Sequence, residues 1–261
     1  MSNKTKREYR EWVRDRYGAI HKNDASDKHK DKKWKINLDH IRETFIEEYN
    51  NSGYRPAYMI TRNYYYDQQD RLEVVGHNDR MNRVMDDFIN PRGMNEYMIT
   101  HDHFMERHKD QFVKKDPKAV LNTITNEYEM DWCQVEIKRG GFHVHTLISE
   151  VDDDVVLQPN KKIRKAIEKI YGMDEVPVSL LQSEVGMTRV KTDLIEYAIR
   201  KRCDFLGKSG NSLDIVPEAE YEGYDGYSGW KGLIAYVTKN MYNVDNMVEI
   251  YDAKNSTILG N

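Results

Sequence analysis

Residues 140–148 read GGFHVHTLI, and the run WCQVEIKR ends at Arg139, just before them. Apolar-rich, β-type runs on both sides of a Gly-Gly pair are the pattern of two antiparallel strands joined by a tight turn. The spacing predicts strands over about 131–139 and 142–149. That assignment constrains the rest, because alternate residues of a strand share a face. His143 and His145 therefore point one way, and Phe142, Val144 and Thr146 the other. In an antiparallel hairpin, opposed residues keep a constant index sum. A two-residue turn at Gly140-Gly141 sets Lys138 opposite His143 and Glu136 opposite His145. Shifting that turn by one residue sets Glu136 opposite His143, still on the histidine face. Gln134 shares that face as a fallback ligand, whereas a three-residue turn would bring Val135 and Ile137 there instead.

Two imidazoles and a carboxylate on one face make a three-ligand set with positions open to water and a substrate oxygen, which suits a divalent ion. Magnesium prefers oxygen, so Glu136, His143 and His145 point to manganese, with magnesium tolerated at higher concentration. A His-x-His strand by itself is as compatible with two half-exposed histidines and no metal, so a second feature must decide.

That feature is IAYVTKNMY, residues 234–242. Tyr236 and Lys239 are three apart and share a helix face. A tyrosine hydroxyl titrates near 10 and is a weak nucleophile at neutral pH. An ion on a target phosphate polarises the P–O bond, and a nearby lysine can stabilise the phenolate or the charge of the phosphorane.

A strand with His-hydrophobic-His followed by a helix with Tyr-x-x-Lys resembles the HUH endonuclease superfamily, and more narrowly the replication initiator (Rep) proteins of single-stranded DNA viruses, phages and plasmids. AYMIT, Ala57–Thr61, is similar to the family's first motif, His143-Val144-His145 to the second, with Glu136 as acidic ligand, and Tyr236–Lys239 to the third. The resemblance implies an α+β nuclease with a central antiparallel sheet of about five strands flanked by helices. It implies a metal-dependent, site-specific nickase and ligase that forms a 5′-phosphotyrosine link and starts rolling-circle replication. The expected partners are single-stranded DNA or an origin hairpin, a separate helicase (the chain has no GxxxxGK[ST] loop) and a host polymerase. Tyr197, with Lys201 four residues on, is the rival nucleophile. A single-tyrosine transposase or mobilisation relaxase would share this chemistry. A non-catalytic module that binds nucleic-acid hairpins is the alternative of another class.

Charge distribution adds to this reading. The net charge is −4, yet residues 1–35 hold twelve Lys/Arg against six Asp/Glu. They are read as a flexible basic arm, and residues 36–261 as one nuclease domain with an insertion near 203–229. Lys138, Arg139 and the basic face of a helix over 158–172 (Lys161, Lys162, Arg164, Lys165) are candidate phosphate contacts. Ile163, Ile167 and Ile170 form that helix's inner face. Apolar periodicity predicts further helices over about 36–53, from Asn78 to Ile89, over 102–113, after Pro117, over 192–202 and over 230–242. Strands are predicted over 57–65 and within 176–191. His101-Asp102-His103 sits at a predicted helix start, where Asp102 or Thr100 as a cap explains it better than a metal. Tyr64-Tyr65-Tyr66 and the tyrosines Tyr221, Tyr224 and Tyr227 are candidates for base stacking. Two distant cysteines, no membrane-length apolar run and no signal-peptide pattern give the expectation of an intracellular, cytoplasmic protein.

Overall fold

The computed structural model describes residues 27–64, 71–90, 99–107, 111–114, 118–122, 127–131, 135–138, 141–203, 212–242, 247 and 249–258, with backbone alone over 27–37, over 111–138 and at Arg202. In chain order the elements are α1 (Asp27–Ser52), β1 (Pro56–Asn63), α2 (Arg71–Ile89), β2 (His101–Arg107), β3 (Gln111–Lys114), β4 (Lys118–Asn122), β5 (Glu127–Asp131), β6 (Val135–Lys138) and β7 (Phe142–Ser149). There follow α3 (Asp154–Leu157), α4 (Lys161–Tyr171), α5 (Val178–Leu181), α6 (Glu184–Arg202), β8 (Ser212–Pro217), a 3-10 turn (Glu218–Glu220) and α7 (Gly229–Val237). The fold is α+β. Its central sheet has four strands rather than the expected five or so, in the order β2-β7-β1-β8, all antiparallel.

The anticipated hairpin between the β6 and β7 segments does not form. β7 is paired along one edge to β1, from His143 to Ser149, and along the other to β2, from Phe142 to Ile148. A strand has only two edges, so none is left for β6, which pairs with β3 in a separate ribbon that sets Glu136 against Val113. β4 and β5 form a second ribbon where a helix after Pro117 was expected. The segment expected to be a helix over 102–113 is β2 and β3. β2 is buried on both faces apart from Arg107, so its sequence shows no polar-apolar alternation, and its polar side chains find partners far along the chain.

Each face of the sheet carries its own core. On one face, Tyr58, Ile60, Val144, Ile148 and Met105 pack under α2, α4 and α6, through Met81, Met85, Ile163, Ile167, Leu194 and Ile199. On the other, Met59, Phe104 and Leu147 pack under α1 and α7, through Ile41, Phe45, Leu233, Ile234 and Val237. Alternation along β1, β2 and β7 sorts residues between these faces. It sends Glu106, His143, His145 and Thr61 to the α1/α7 side.

Local signals explain the ends of α4 and the start of α6. Asn160 caps α4 by accepting from Lys162 N and Ile163 N, and Gly172, in the left-handed conformation, closes it. Ser183 caps α6. Of the valines that suggested strands within 176–191, Val178 lies in the short helix α5 and Val185 and Val190 in α6; Val178 and Val185 face solvent, whereas Val176 and Val190 are buried in the core beneath the helices. Without packing on a pleated surface, their β preference has no effect. Residues 192–202, expected as a separate helix, are the second half of α6. The loop expected over 207–229 contains β8, the sheet's other edge strand. Asn78 is not a cap either: α2 starts seven residues earlier.

Asn78 belongs to a polar network under α2, centred on Arg62, which is fully buried. Arg62 donates through Nη2 to Asn78 Oδ1 (2.5 Å) and Thr146 Oγ1 (3.1 Å), and through Nη1 to Tyr64 Oη (3.2 Å). Asn78 donates in turn to Asp252 (2.7 Å). His103 sits between Thr146 Oγ1, 2.9 Å from Nδ1, and Asn82 Oδ1, 2.8 Å from Nε2. Burial first, then the charges of Arg62 and His101, hold its pKa well down, so it is neutral. The C-terminal segment seals the free edge of β2: Asp252 N donates to His103 O and Thr257 N to His101 O. Asp102, on the opposite face, accepts from Tyr49 Oη (2.7 Å), Tyr251 Oη (2.6 Å) and Ile258 N (3.2 Å) rather than capping a helix. No described helix is long and apolar enough to cross a membrane.

Removing Arg62 strands several buried acceptors at once. Arg62→Ala should lower unfolding stability by about 3 kcal/mol, read as a lower urea midpoint; a midpoint within error of the parent would contradict this role.

Candidate active site

Register builds the site. β2 sets Glu106 directly opposite His143 and Phe104 opposite His145, while β1 sets Thr61 opposite His145. On neighbouring strands such pairs are in side-chain contact. Glu106 Oε2 lies 2.9 Å from His143 Nε2, and the His143 and His145 rings are 4.9 Å apart between centroids. One ligand atom from each of Glu106, His143 and His145 lies within 4.8 Å of the others, so the group can hold a metal ion. The acidic member is therefore Glu106. Glu136 stands in the β3–β6 ribbon, and its side chain, like those of Gln134, Lys138 and Arg139, lies outside the described residues.

The donor set fits a divalent ion of intermediate hardness. Thr61 Oγ1 holds His145 Nδ1 at 3.0 Å, which fixes the ring and makes Nε2 its coordinating atom. Glu106 Oε1 is buried and has no hydrogen-bond partner among the described residues, the condition of a carboxylate oxygen poised for a cation. Burial alone would raise the Glu106 pKa. The hydrogen bond from His143 and the charges of Lys239, His143 and His145 outweigh it and hold the carboxyl down at about 2. Glu106 thus stays ionised across the pH range in which enzymes work.

The α7 segment supplies the rest. The Tyr236 ring lies 5.1 Å from that of His145, nearly perpendicular to it. Lys239 Nζ is 3.7 Å from the centre of the Tyr236 ring and 3.2 Å from Glu106 Oε2. α7 ends at Val237, and the turn after it, with Lys239 N bonded to Tyr236 O, folds the lysine back over the phenol. Tyr197 goes elsewhere. It packs with the core on the opposite face and lines an open cleft of about 400 Å³ with Ile170, Asp193, Glu196, Arg200 and Lys201. The basic residues of α4 lie on that same side: Lys161, Arg164 and Lys165 are exposed, and Lys162 is paired to Asp87. Of the anticipated site residues, the described structure gathers His143, His145, Tyr236 and Lys239, and leaves Tyr197 and the α4 face apart from them.

A tyrosine turn borders the cluster. Tyr224 and Tyr221 lie 5.5 and 6.3 Å from the Tyr236 ring. Tyr221 and Tyr224 were candidates for base stacking from the sequence, whereas Glu106 and the role of Thr61 were not singled out. Glu106 follows an apparent helix-start pattern, and only the β2–β7 register reveals it. Thr61 closes the AYMIT stretch, whose likeness to a family motif carried no statement of which atom it touches.

A carboxylate held below its ordinary range stabilises the fold above that range and loses the effect as it is protonated. In metal-free buffer, the stability difference between the parent and Glu106→Gln should be full above about 4.5 and shrink as pH falls toward about 2. A difference that stays constant from pH 6 to pH 3 would contradict the ionised cluster.

Comparison with protein-family models, with curated proteins and with solved structures gave no match to this chain.

Proposed function

We propose that this protein is a metal-dependent, single-strand DNA nickase and ligase of the HUH type, with Tyr236 as nucleophile, acting to initiate replication of the rolling-circle kind. The observation that carries the reading is the approach of Tyr236, from α7, and Lys239, from the turn after it, to the same small volume as Glu106, His143 and His145, from two adjacent strands. A phenol, a cation from lysine and a mixed His/carboxylate ligand set are the parts that phosphoryl transfer to tyrosine requires.

Glu106, His143 and His145 would hold manganese or magnesium. A divalent ion bound there supplies charge withdrawal from the phosphodiester. The Tyr236 phenol loses its proton and its oxygen bonds to phosphorus; the bond from phosphorus to the 3′ oxygen breaks, and that oxygen leaves with a proton as a 3′-hydroxyl. Lys239 stands over the Tyr236 ring, where its charge stabilises the phenolate and the extra negative charge of the phosphorane. Thr61 keeps the His145 ring in one orientation throughout. The 5′-phosphotyrosine retains the energy of the cleaved bond, so a returning 3′-hydroxyl can reverse the step and join strands. A helicase and a polymerase would be supplied by other chains.

The test is a denaturing gel of the protein incubated with labelled single-stranded oligonucleotides and manganese. The parent and Tyr197→Phe should give a covalent protein–DNA band. Tyr236→Phe and EDTA-treated protein should give none, and Lys239→Ala a band reduced about tenfold or more. A band that persists in Tyr236→Phe, or in EDTA, would contradict the assignment.

A further inference from the structure

The turn Tyr224-Asp225-Gly226-Tyr227 has no part in the transfer described above, yet it is fixed against Tyr236 by several independent contacts. Its two ends exchange backbone bonds, Tyr224 N to Tyr227 O (2.9 Å) and Tyr227 N to Tyr224 O (3.0 Å). Asp225 and Gly226 both have positive φ, 51° and 85°, as in a two-residue hairpin turn of the I′ form. Asp225 is the one described non-glycine residue in this region of φ, and its carboxylate accepts from Arg42 Nη1 at 2.5 Å.

Arg42, on α1, is 1% exposed, and its guanidinium carbon lies 5.9 and 5.8 Å from the ring centres of Tyr224 and Tyr227. It therefore braces both rings as well as the turn between them. A buried arginine is an expensive brace for a mere connection between β8 and α7. Gly232 seats the turn: a Cβ there would come within 2.9 Å of Tyr227 O and 3.0 Å of Gly223 Cα. Gly232 is one helical turn before Tyr236 and on the same face, so this close approach brings the turn beside the nucleophile. The result is a Tyr224 ring at 85° to that of Tyr236 and 5.5 Å from it, still 36% exposed.

We infer that Tyr224 is a stacking platform for the unpaired nucleobase adjacent to the phosphodiester that Tyr236 attacks, a subsite that rests on the nicking reading. An aromatic face beside the nucleophile receives a base without selecting its identity, because every base has a π-face. Its rigidity means that little side-chain freedom is lost on binding. Its position one ring away from Tyr236 sets the direction from which the strand crosses the site. Tyr221, partly buried against the apolar cluster, packs edge-on to the Tyr236 ring at 6.3 Å.

The test separates stacking from phosphate attraction. Fluorescence anisotropy, in EDTA so that no strand is cut, compares a labelled oligothymidine with an abasic strand of equal length and charge. The parent should bind the thymidine strand about tenfold more tightly. Tyr224→Ala should lose most of that preference while its affinity for the abasic strand is unchanged, and Tyr224→Phe and Tyr224→Trp should keep the preference. Retained preference in Tyr224→Ala, or an equal loss of affinity for both strands, would overturn the platform. The adduct assay run alongside distinguishes the two readings. An adduct in the parent with preference intact in Tyr224→Ala overturns the platform and leaves nicking in place. No parental adduct, with preference lost in Tyr224→Ala, overturns nicking and leaves a base-stacking surface.

Discussion

Both edges of β7 are occupied, and the site depends on that pairing. β1 and β2 clamp the strand in fixed register, and one residue of slip on either side would send Glu106 or Thr61 to the opposite face. Register therefore decides which carboxylate meets His143 and which hydroxyl holds His145. A central strand buried on both faces is also among the stiffest places in a small sheet, a fitting position for ligands that must converge to within a few tenths of an ångström.

The two faces of the sheet divide the work. Under α2, α4 and α6, the apolar cluster encloses a polar knot in which hydrogen bonds join Arg62 to Asn78 and Asn78 to Asp252, and His103 to Asn82. That knot ties the C-terminal segment to β1 and closes the outer edge of β2, the strand that carries Glu106. Under α1 and α7, a smaller cluster positions Tyr236 through Leu233, Ile234 and Val237, its neighbours on α7. Asp102, one face away from the knot but on the same strand, draws Tyr49 of α1 and Tyr251 of the C-terminal segment onto the sheet. Both networks thus hold β2 in place, from above and from below, and β2 positions the acidic ligand.

How much of this was legible in the sequence follows from the range of the interactions involved. His143 and His145 share a face by strand periodicity alone; the three-residue spacing of Tyr236 and Lys239 paired them too, though the helix expected over 230–242 ends at Val237 and it is the turn after it that folds the lysine over the phenol. α4 was legible as an amphipathic helix over 158–172, against Lys161–Tyr171 in the structure. Glu136 was selected on the assumption that two adjacent β-type runs across Gly-Gly pair with each other; the edges of β7 went instead to strands more than thirty residues away, a competition that no local pattern reports. HDHFMER looked like a helix start because its polar residues, buried by partners near the C-terminus, mimic a capping sequence. The valines of 176–191 misled for another reason: Val178 and Val185 face solvent and Val176 and Val190 pack among helices, so none lies on the pleated surface where a β preference counts.

The central claim is that Glu106, His143 and His145 form one cation site beneath Tyr236. Anomalous diffraction from manganese-soaked crystals tests it most directly. The account predicts a single strong peak within bonding distance of Glu106, His143 Nε2 and His145 Nε2, with the direct contact between Glu106 and His143 replaced by bonds to the ion. A peak elsewhere, or no peak with the Glu106–His143 contact intact at saturating manganese, would contradict it.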